Sequence, residues 1–382
     1  MRRYPITLLA GLIVVWLIGC QMPWWFGDST TPLILSVEDN EVLLEVIDYV
    51  KGYFDQASIW RLDLETGEMQ HLLGPSAHGG WEVAGDYYLT EEFSDDYETG
   101  SVVAGRFSTG AQVTVSERDY SSGGRGFVYG YLVDGDHAAV GVENGVLIYD
   151  LAAFSEIRRI ELPETVQDML AFRLGRIFAV GWADAADWEG WEELFLIDVD
   201  SGEVLQLPDA PRDGELYTPY HETHLTNEWL VMDQTAELEE SDDSSGIWAT
   251  LSDEPVVRDE VLGYHIPTQS WEVLSQYEPH NPDDMSAFES YVAGGNETHV
   301  LVERTSYFPG ALSLEAINLA TGESRLLIEW SGRALELAHA HISPCLVDNR
   351  LYWIDGNTNE LIVHDLETRQ ERHIPTIDPA SE

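Results

Sequence analysis

The sequence predicts an all-β fold, and three observations lead to that prediction. First, one short phrase recurs seven times along the 382 residues: an apolar run, a polar residue and a tight turn that is often Thr-Gly or Ser-Gly. Second, the polar residue before each turn recurs at gaps of 43, 44, 48, 67, 53 and 47 residues. Third, no long amphipathic helix competes with the alternating pattern. A period of this length, built of short strands, is typical of a β-propeller. The seven marker residues are Asp63, Arg106, Asp150, Asp198, His265, Asn318 and Asp365.

Each repeat is predicted to contribute four antiparallel strands, so the expected fold is a single seven-bladed propeller. Strands are assigned to short runs of β-branched and aromatic residues, and the Gly, Asp and Asn residues between them predict hairpin turns. The first repeat has predicted strands at 33–37, 42–46, 59–64 and 69–73, the second at 81–83, 87–89, 102–107 and 112–115, and the last at 345–347, 351–354, 361–366 and 371–375.

Residues 1–20 are predicted to be a signal peptide outside the fold. Two arginines form a positive start, and the mostly apolar stretch 6–18 that follows is too short for a comfortable membrane span. The segment ends in Leu17-Ile18-Gly19-Cys20. This ending resembles the lipobox of prokaryotic lipoproteins. The resemblance implies that Cys20 is lipidated, becomes the mature N-terminus and anchors the chain on the extracytoplasmic side of the cell membrane.

The rest of the chain divides into a tether at 21–32, a propeller domain at 33–376 and a C-terminal tail at 377–382. The tether contains Trp24 and Trp25, followed by Phe26. These rings either lie near the lipid headgroups, where amphipathic aromatic side chains are favoured, or pack on the propeller.

The charge of the chain is strongly negative. With 69 acidic and 19 basic residues, the formal net charge is −50 at pH 7, and Lys51 is the only lysine. This charge excludes nucleic acid as a partner, because binding to phosphates requires the opposite sign. Since 44% of the residues are still hydrophobic, the composition resembles that of proteins adapted to high salt, where salt screens the repulsion between carboxylates. Most carboxylates are therefore interpreted as solvated surface.

Cys345 is the only cysteine besides Cys20. If Cys20 is lipidated, no disulfide can form within one chain, and the stability of the fold must come from packing. Cys345 is interpreted as a small buried apolar residue.

The repeats resemble those of WD40-like and quinoprotein-like propellers of secreted proteins over about 344 residues, in phrases such as Asp63 to Gly67 and Asn318 to Gly322. The Trp-Asp and Gly-His dipeptides of WD40 repeats are missing, and only Trp271 stands near the tryptophan position of quinoprotein repeats. The resemblance therefore implies the fold alone, and no cofactor is predicted.

Four repeats carry extra length, and in each it falls between the second and third predicted strands, at 91–99, 183–192, 234–246 with a further stretch to 260, and 304–311. In a propeller these connections share one face, and the Thr-Gly hairpins lie on the other. Binding residues concentrate in such loops above a rigid scaffold. The candidate binding face consists of Asp95, Asp96, Tyr97, Trp188, Trp191, Asp242, Asp243, Tyr307 and Phe308.

Metal binding and catalysis have weaker signals. The clustered carboxylates could hold Ca²⁺ through hard oxygen ligands, although none follows the order of a dedicated calcium loop. His221 and His224 lie three residues apart, and His339 alternates with His341 on one strand face. These pairs form a metal site only if the blades bring them together. No Gly-x-Ser-x-Gly elbow is present to indicate a nucleophile.

The leading hypothesis is a lipid-anchored binding or scaffold protein that holds a protein or small ligand through the acidic, aromatic loop face. The alternative is a hydrolase or lyase that acts on glycans with an acid and a base from the same face. An enzyme requires several groups with shifted pKa values that converge on one pocket, whereas a binding protein requires only an exposed patch.

Overall fold

The computed structural model describes residues 29–38, 40–50, 53–76, 80–93, 99–119, 128–181, 193–210, 223–237, 257–278, 289–306, 311–331, 344–355 and 358–376. Over these ranges every regular element is a β-strand. None of these residues belongs to a helix with the length and apolarity needed to cross a membrane. The predicted signal peptide, with Cys20, and the tail at 377–382 lie outside the described residues.

The strands form seven four-stranded antiparallel sheets, which confirms the predicted seven-bladed propeller. Each sheet is a blade that uses four consecutive strands in chain order. Blade 1 comprises β1 (Ser29–Glu38), β2 (Glu41–Val50), β3 (Tyr53–Asp63) and β4 (Met69–Ser76). Blade 2 comprises β5 (Trp81–Ala84), β6 (Tyr87–Phe93), β7 (Thr99–Arg106) and β8 (Gln112–Asp119). Blade 3 comprises β9 (Tyr131–Asp134), β10 (His137–Val142), β11 (Gly145–Asp150) and β12 (Ser155–Glu161).

The remaining four blades follow the same plan. Blade 4 comprises β13 (Val166–Arg173), β14 (Arg176–Gly181), β15 (Glu193–Asp198) and β16 (Val204–Gln206). Blade 5 comprises β17 (His224–Leu225), β18 (Trp229–Glu237), β19 (Val257–His265) and β20 (Ser270–Gln276). Blade 6 comprises β21 (Glu289–Gly295), β22 (His299–Ser306), β23 (Ala311–Asn318) and β24 (Ser324–Ser331). Blade 7 comprises β25 (Cys345–Val347), β26 (Arg350–Asp355), β27 (Glu360–Asp365) and β28 (Glu371–Pro375).

All seven marker residues of the recurring phrase occupy the last position of the third strand in their blades. Five of them are Asp or Asn residues that cap the following turn. Asn318 is typical: its Oδ1 accepts hydrogen bonds from the backbone N–H groups of Ala320 and Thr321, both at 3.0 Å. Such side-chain-capped turns favour a sharp reversal of the chain. The phrase therefore recurs because it ends a third strand and starts a fourth.

The first strands of the seven blades surround a central channel. They contact one another in the order β1, β5, β9, β13, β17, β21 and β25, and β25 contacts β1 again. The ring thus closes between blade 7 and blade 1 without an exchange of strands, because each of these blades is built from its own four consecutive strands.

The core is divided into seven apolar clusters, one at each junction between neighbouring blades. At the closing junction, Leu44 and Leu62 of blade 1 pack with Tyr352 and Leu361 of blade 7, and all four are at most 2% exposed. Cys345 is half-buried against the same cluster. Apolar packing therefore joins blade 7 to blade 1 where the ring closes.

One face of the disc, which we call the turn face, carries the hairpins between first and second strands and between third and fourth strands. Hydrogen bonds from these hairpins link every pair of neighbouring blades. The links are Gly85 N to Glu38 Oε1, Arg106 Nη2 to Ala152 O, Arg158 Nη1 to Asp200 O, Arg176 Nη1 to Asn227 O, Asn227 N to Glu297 Oε2, Asn296 Nδ2 to Asp348 O, and Arg372 Nη2 to Glu65 O. Arginine side chains donate four of these seven links.

The opposite face, the loop face, carries the connections between second and third strands and between successive blades. The four extra segments of the sequence contain the connections between second and third strands: β6 to β7, β14 to β15, β18 to β19, and β22 to β23. Their predicted bounds are too wide, because residues 91–93, 234–237, 257–260 and 304–306 belong to β6, β18, β19 and β22. Since antiparallel strands alternate in direction, these connections leave every blade at the end opposite to the Thr-Gly hairpins. The predicted placement of the insertions on one face is therefore consistent with the strand order.

Candidate functional site

The residues predicted to form the binding face belong to the connections of the loop face. Asp95, Asp96, Tyr97, Trp188, Trp191, Asp242, Asp243, Tyr307 and Phe308 all lie outside the described residues, as do His221, His339 and His341. Their predicted roles stay predictions. The structure does describe the strand ends from which these connections leave, and hence the layer of the propeller directly beneath them.

A tier of acidic side chains lies in that layer, at one equivalent position in four blades. The fifth residue of the second strand is Glu45 in blade 1, Glu91 in blade 2, Asp233 in blade 5 and Glu303 in blade 6. Glu45, Asp233 and Glu303 are between 3% and 9% exposed, and the Glu91 side chain is 10% exposed. The corresponding residues of the other blades are Gly141, Val180 and Ile354, so the tier is interrupted.

Each of the four carboxylates points into the junction with the following blade. Their partners across the strand pair are Ile59, Val102, Val261 and Leu314, in the same order. Each of these four apolar residues belongs to the cluster that packs against the next blade. The carboxylates therefore stand directly above the apolar core of each junction, on the side of the loop face.

Burial changes the ionisation of two members of the tier. Desolvation raises the pKa of Glu45, although a hydrogen bond from the backbone of Gly80 opposes the shift. Desolvation also raises the pKa of Asp233 to about 7, against the opposing effect of a hydrogen bond from Val292 N, 3.2 Å from Asp233 Oδ1. The negative charge of Asp259 also raises the pKa of Asp233, by a smaller amount. Both carboxylates use the backbone of the next blade as their donor, so they join blades as well as carry charge.

The charge of Glu91 is compensated by the buried guanidinium of Arg118. Arg118, which is 4% exposed, lies 3.4 Å from Glu91 through its Nη1 atom. Its Nη2 atom donates to the carbonyls of Gly130 at 2.9 Å and Gly141 at 3.3 Å, both in or next to blade 3. Burial, together with the charges of Glu91 and Glu82, raises the pKa of Tyr131 to about 12, so this neighbouring phenol stays protonated.

A polar network of described residues joins blades 5 and 6. Asp259, 4% exposed, accepts hydrogen bonds from Ser290 N at 2.8 Å and from Thr235 Oγ1 at 3.2 Å. Arg304 donates to Ser290 Oγ at 3.3 Å and stacks over the Tyr277 ring at 4.5 Å. Burial raises the pKa of Tyr277 to about 12. This junction lies below the longest insertion of the loop face, between β18 and β19.

A cavity of about 270 Å³ occupies part of the central channel. Its walls come from the first strands of blades 2 to 4 and the start of blade 5, and they combine apolar residues such as Leu132 and Phe172 with polar ones. Its charged residues are Glu82 and Arg173, and Arg173 lies 3.8 Å from Glu297 at the turn face.

His224, also in the cavity wall, is neutral at physiological pH. Burial lowers its pKa to about 4, and its Nε2 atom donates to the carbonyl of Asn296 at 2.8 Å. The histidine thus ties blade 5 to blade 6. Across the described ranges, no three His, Cys, Asp or Glu side chains are placed to hold a metal ion together.

Groups with shifted pKa values are spread over several junctions. Glu45 faces blade 2, Asp168 lies on the first strand of blade 4, and Asp233 faces blade 6. Of these shifted groups and His224, only His224 lines the central cavity. These four groups therefore lie at separate places among the described residues.

The buried tier was not predicted from the sequence. Its signal is an acid within an otherwise apolar second strand, as in Leu43-Leu44-Glu45-Val46 and Leu301-Val302-Glu303. In a chain with 69 acidic residues that signal is hidden, because most carboxylates are interpreted as solvated surface.

Similarity to known proteins is confined to the fold. No protein-family model matches the sequence, and no curated protein matches it. Among solved structures, the propeller domain of the trilobed protease from Pyrococcus furiosus, described as having an open velcro topology, aligns with a TM-score of 0.52 at 10% identity. The alignment covers 92% of this chain and 96% of that one.

Two acylaminoacyl peptidases are similar to the same degree. One, solved with a chloromethyl ketone inhibitor, aligns with a TM-score of 0.52 at 13% identity and covers 93% of this chain. The enzyme from Pyrococcus horikoshii aligns with a TM-score of 0.52 at 12% identity and covers 92% of this chain. The chain spans about half the length of these peptidases, since 53% of each is covered. Together with the seven sheets, these alignments define the protein as a β-propeller.

Proposed function

We propose that this protein is a lipid-anchored, extracytoplasmic propeller that binds a partner through its loop face. The observation that carries the proposal is that the connections β6–β7, β14–β15, β18–β19 and β22–β23 all leave the same face of the disc. Surface loops on a rigid scaffold are where propellers and other folds concentrate binding residues.

The chemistry of the insertions indicates the charge of the partner. The segments 94–98, 182–192, 238–256 and 307–310 contain no lysine or arginine, and the first three are rich in acids. Trp188, Trp191, Tyr307 and Phe308 add aromatic groups, which are enriched among residues that contribute most to binding. A cationic protein surface is the complementary partner, because opposite potentials speed encounter and reject wrong partners.

The peptidases among the structural neighbours do not carry over their activity, because identities of 10% to 13% support the fold alone. The alternative of a glycan-acting enzyme is less well supported, because Glu45, Asp168 and Asp233, whose pKa values are raised, do not line the cavity of the central channel. The binding function is therefore preferred.

The test is affinity capture of the tagged, full-length protein from detergent-solubilised membranes of the source cells at high salt. A variant with Trp188→Ala and Trp191→Ala removes aromatic groups from the loop face. A matched variant with Glu323→Gln and Glu367→Gln changes exposed residues of the turn face. We expect a stoichiometric partner that the loop-face variant loses and the turn-face variant keeps. The reverse pattern, or the absence of any partner, would overturn the proposal.

The anchor is tested separately by mass spectrometry of the membrane-bound protein. We expect a mature chain that begins with a diacylglyceryl-modified Cys20, and a Cys20→Ala variant without that modification. A mature chain that retains residues 1–19 contradicts the anchor, whatever the capture experiment shows.

A further inference from the structure

The path of the first strand fixes where the anchor joins the disc. β1 runs from Ser29, paired with Tyr49, to Glu38, paired with Glu41. The Glu38 end belongs to the turn face, since Glu38 Oε1 accepts a hydrogen bond from Gly85 N in the neighbouring hairpin at 2.9 Å. Ser29 therefore lies at the loop-face end of the strand.

Blade 1 also projects further on that side than its neighbour. From the tier residue Glu45, β2 continues for five residues to Val50, whereas β6 continues for only two residues beyond Glu91. At about 3.3 Å per residue, the strands of blade 1 rise roughly 10 Å above those of blade 2. Because β1 is the innermost strand of its blade and contacts β5 and β25, this projection stands close to the central channel.

The chain between the anchor and β1 is short. Eight residues, 21–28, separate Cys20 from Ser29. Even fully extended, this segment spans no more than about 30 Å. To place the turn face on the membrane, the segment would have to run past the other three strands of blade 1 to the rim, about 14 Å, and then descend the outermost strand β4, whose eight residues span about 23 Å. These two distances together exceed the length of the segment.

We infer that the lipidated protein holds its loop face toward the membrane and its turn face away from it, so that the partner of the loop face is a component of the same membrane. The inference rests on the proposed lipidation of Cys20. Because the insertions of the loop face are acidic and contain no lysine or arginine, the partner of complementary charge is a membrane protein with a cationic extracytoplasmic segment.

The orientation is tested with two probe sites on blade 2. Glu92, near the end of β6, is exposed at the loop-face side, and Thr109, in the turn after β7, is exposed at the turn face. In the lipidated protein with Cys345→Ala, Glu92→Cys and Thr109→Cys each provide one free thiol for a donor fluorophore. The proteins are reconstituted into vesicles that contain acceptor-labelled phosphatidylethanolamine, and energy transfer to the acceptor is measured.

We expect severalfold stronger transfer from position 92 than from position 109. Insertion of about 20 Gly and Ser residues between Gly27 and Asp28 should reduce the difference, because a flexible linker of that length frees the disc to turn. Equal transfer from both sites, or stronger transfer from position 109, would overturn the inference. Mass spectrometry of the same samples separates this result from failure of the anchor, since an unmodified Cys20 contradicts the proposed function instead.

The nature of the partner is tested by comparing two sources for the capture experiment. A partner recovered from solubilised membranes but absent from the soluble extracytoplasmic fraction supports the inference. A partner recovered only from the soluble fraction contradicts it, while leaving the proposed binding function intact.

Discussion

Asp233 of blade 5 and Val292 of blade 6 are joined by a hydrogen bond of 3.2 Å, from the Val292 N–H to Asp233 Oδ1, across the apolar junction of their blades. The bond shows one role of the acidic residues in this propeller. Some of the carboxylates are buried, and there they accept hydrogen bonds from the backbone of the next blade. The same arrangement makes the stability of the junction depend on pH.

Asp233→Asn should stabilise the protein at neutral and alkaline pH relative to the wild type. The pKa of Asp233 is raised from 3.8 to about 7, so the folded state binds the proton more tightly than the unfolded state. The stabilisation by that proton is full below the unfolded pKa and is lost as pH rises through about 7. The Asn side chain keeps the Oδ1 acceptor and carries no charge. The free energy of unfolding of Asp233→Asn, relative to that of the wild type, should therefore increase by roughly 2–4 kcal/mol between pH 4 and pH 8, at about 1.4 kcal/mol per pKa unit.

Urea unfolding at several pH values measures this gain, and Asp198→Asn is the control. Hydrogen bonds from Ser201 lower the pKa of Asp198. Its contribution to stability is therefore present above the unfolded pKa and lost as pH falls, which is the opposite sign. A pH-independent difference for Asp233→Asn would show that its carboxyl does not titrate as described.

Leu361→Ala should weaken the closure of the ring. Leu361 is fully buried in the cluster between blades 1 and 7, where no strand is exchanged. Loss of a buried leucine side chain costs about 2–5 kcal/mol, depending on how well the site collapses. Leu326→Ala, at a position 51% exposed on the outermost strand of blade 6, is the control and should change the free energy of unfolding little. Similar small effects of both changes would mean that apolar packing does not hold the closure.

Asn318→Ala should destabilise blade 6 through its turn. Asn318 Oδ1 accepts hydrogen bonds from two backbone N–H groups and from Thr321 Oγ1 at 3.2 Å. Since one net hydrogen bond contributes about 1 kcal/mol, a loss of roughly 1–2 kcal/mol in the free energy of unfolding is expected. Asn318→Asp retains the acceptor and should recover most of the loss. If Asp is no better than Ala, the cap has no measurable role.

Salt should stabilise the protein strongly. The formal net charge is −50, and folding brings these negative charges closer together, so their mutual repulsion destabilises the folded state. The screening length falls from about 10 Å at 0.1 M to about 3 Å at 1 M, so most of this repulsion is removed over that range. The midpoint of thermal unfolding should therefore rise steeply with NaCl and then level off. The neutral osmolyte sucrose at matched osmolality distinguishes screening from preferential exclusion. A midpoint that is insensitive to NaCl would contradict the expectation.

The architecture could be predicted from the sequence because the recurring turn of each blade depends on contacts between residues that are close in the sequence. Asp63 and Asn318 cap their turns with neighbours only two or three residues away, so a repeated phrase is enough to reveal seven third strands. The strand boundaries were predicted less well: β1 begins at Ser29 rather than at Leu33, and β3 begins at Tyr53 rather than at Ile59. The extension of β1 is held by long-range pairing with β2, as in Thr31 with Ile47, which no local pattern reveals.

The buried tier could not be predicted for a related reason. Whether Glu45 faces solvent or the next blade depends on the packing of Ile59 against Trp81, a contact between two blades. The surroundings of His224 are equally hidden in the sequence, where its neighbour His221 suggests a metal pair. In the structure its Nε2 donates to the carbonyl of Asn296, 72 residues further along the chain. The burial of both side chains follows from the arrangement of the blades, whereas the turns depend on the adjacent sequence alone.

Arg118→Met should destabilise the junction of blades 2 and 3 more than the loss of its hydrogen bonds alone. Arg118 is the buried cation beside Glu91, and its removal leaves that carboxylate, 10% exposed, without its guanidinium partner. Breaking one side of a buried ion pair costs about 3–5 kcal/mol. The double variant Arg118→Met with Glu91→Gln removes both charges and should recover a large part of the loss. Chemical unfolding of the four proteins of this cycle gives the coupling between the two residues. Additive effects would mean that Glu91 is stabilised by other groups and that Arg118 acts mainly through the carbonyls of Gly130 and Gly141.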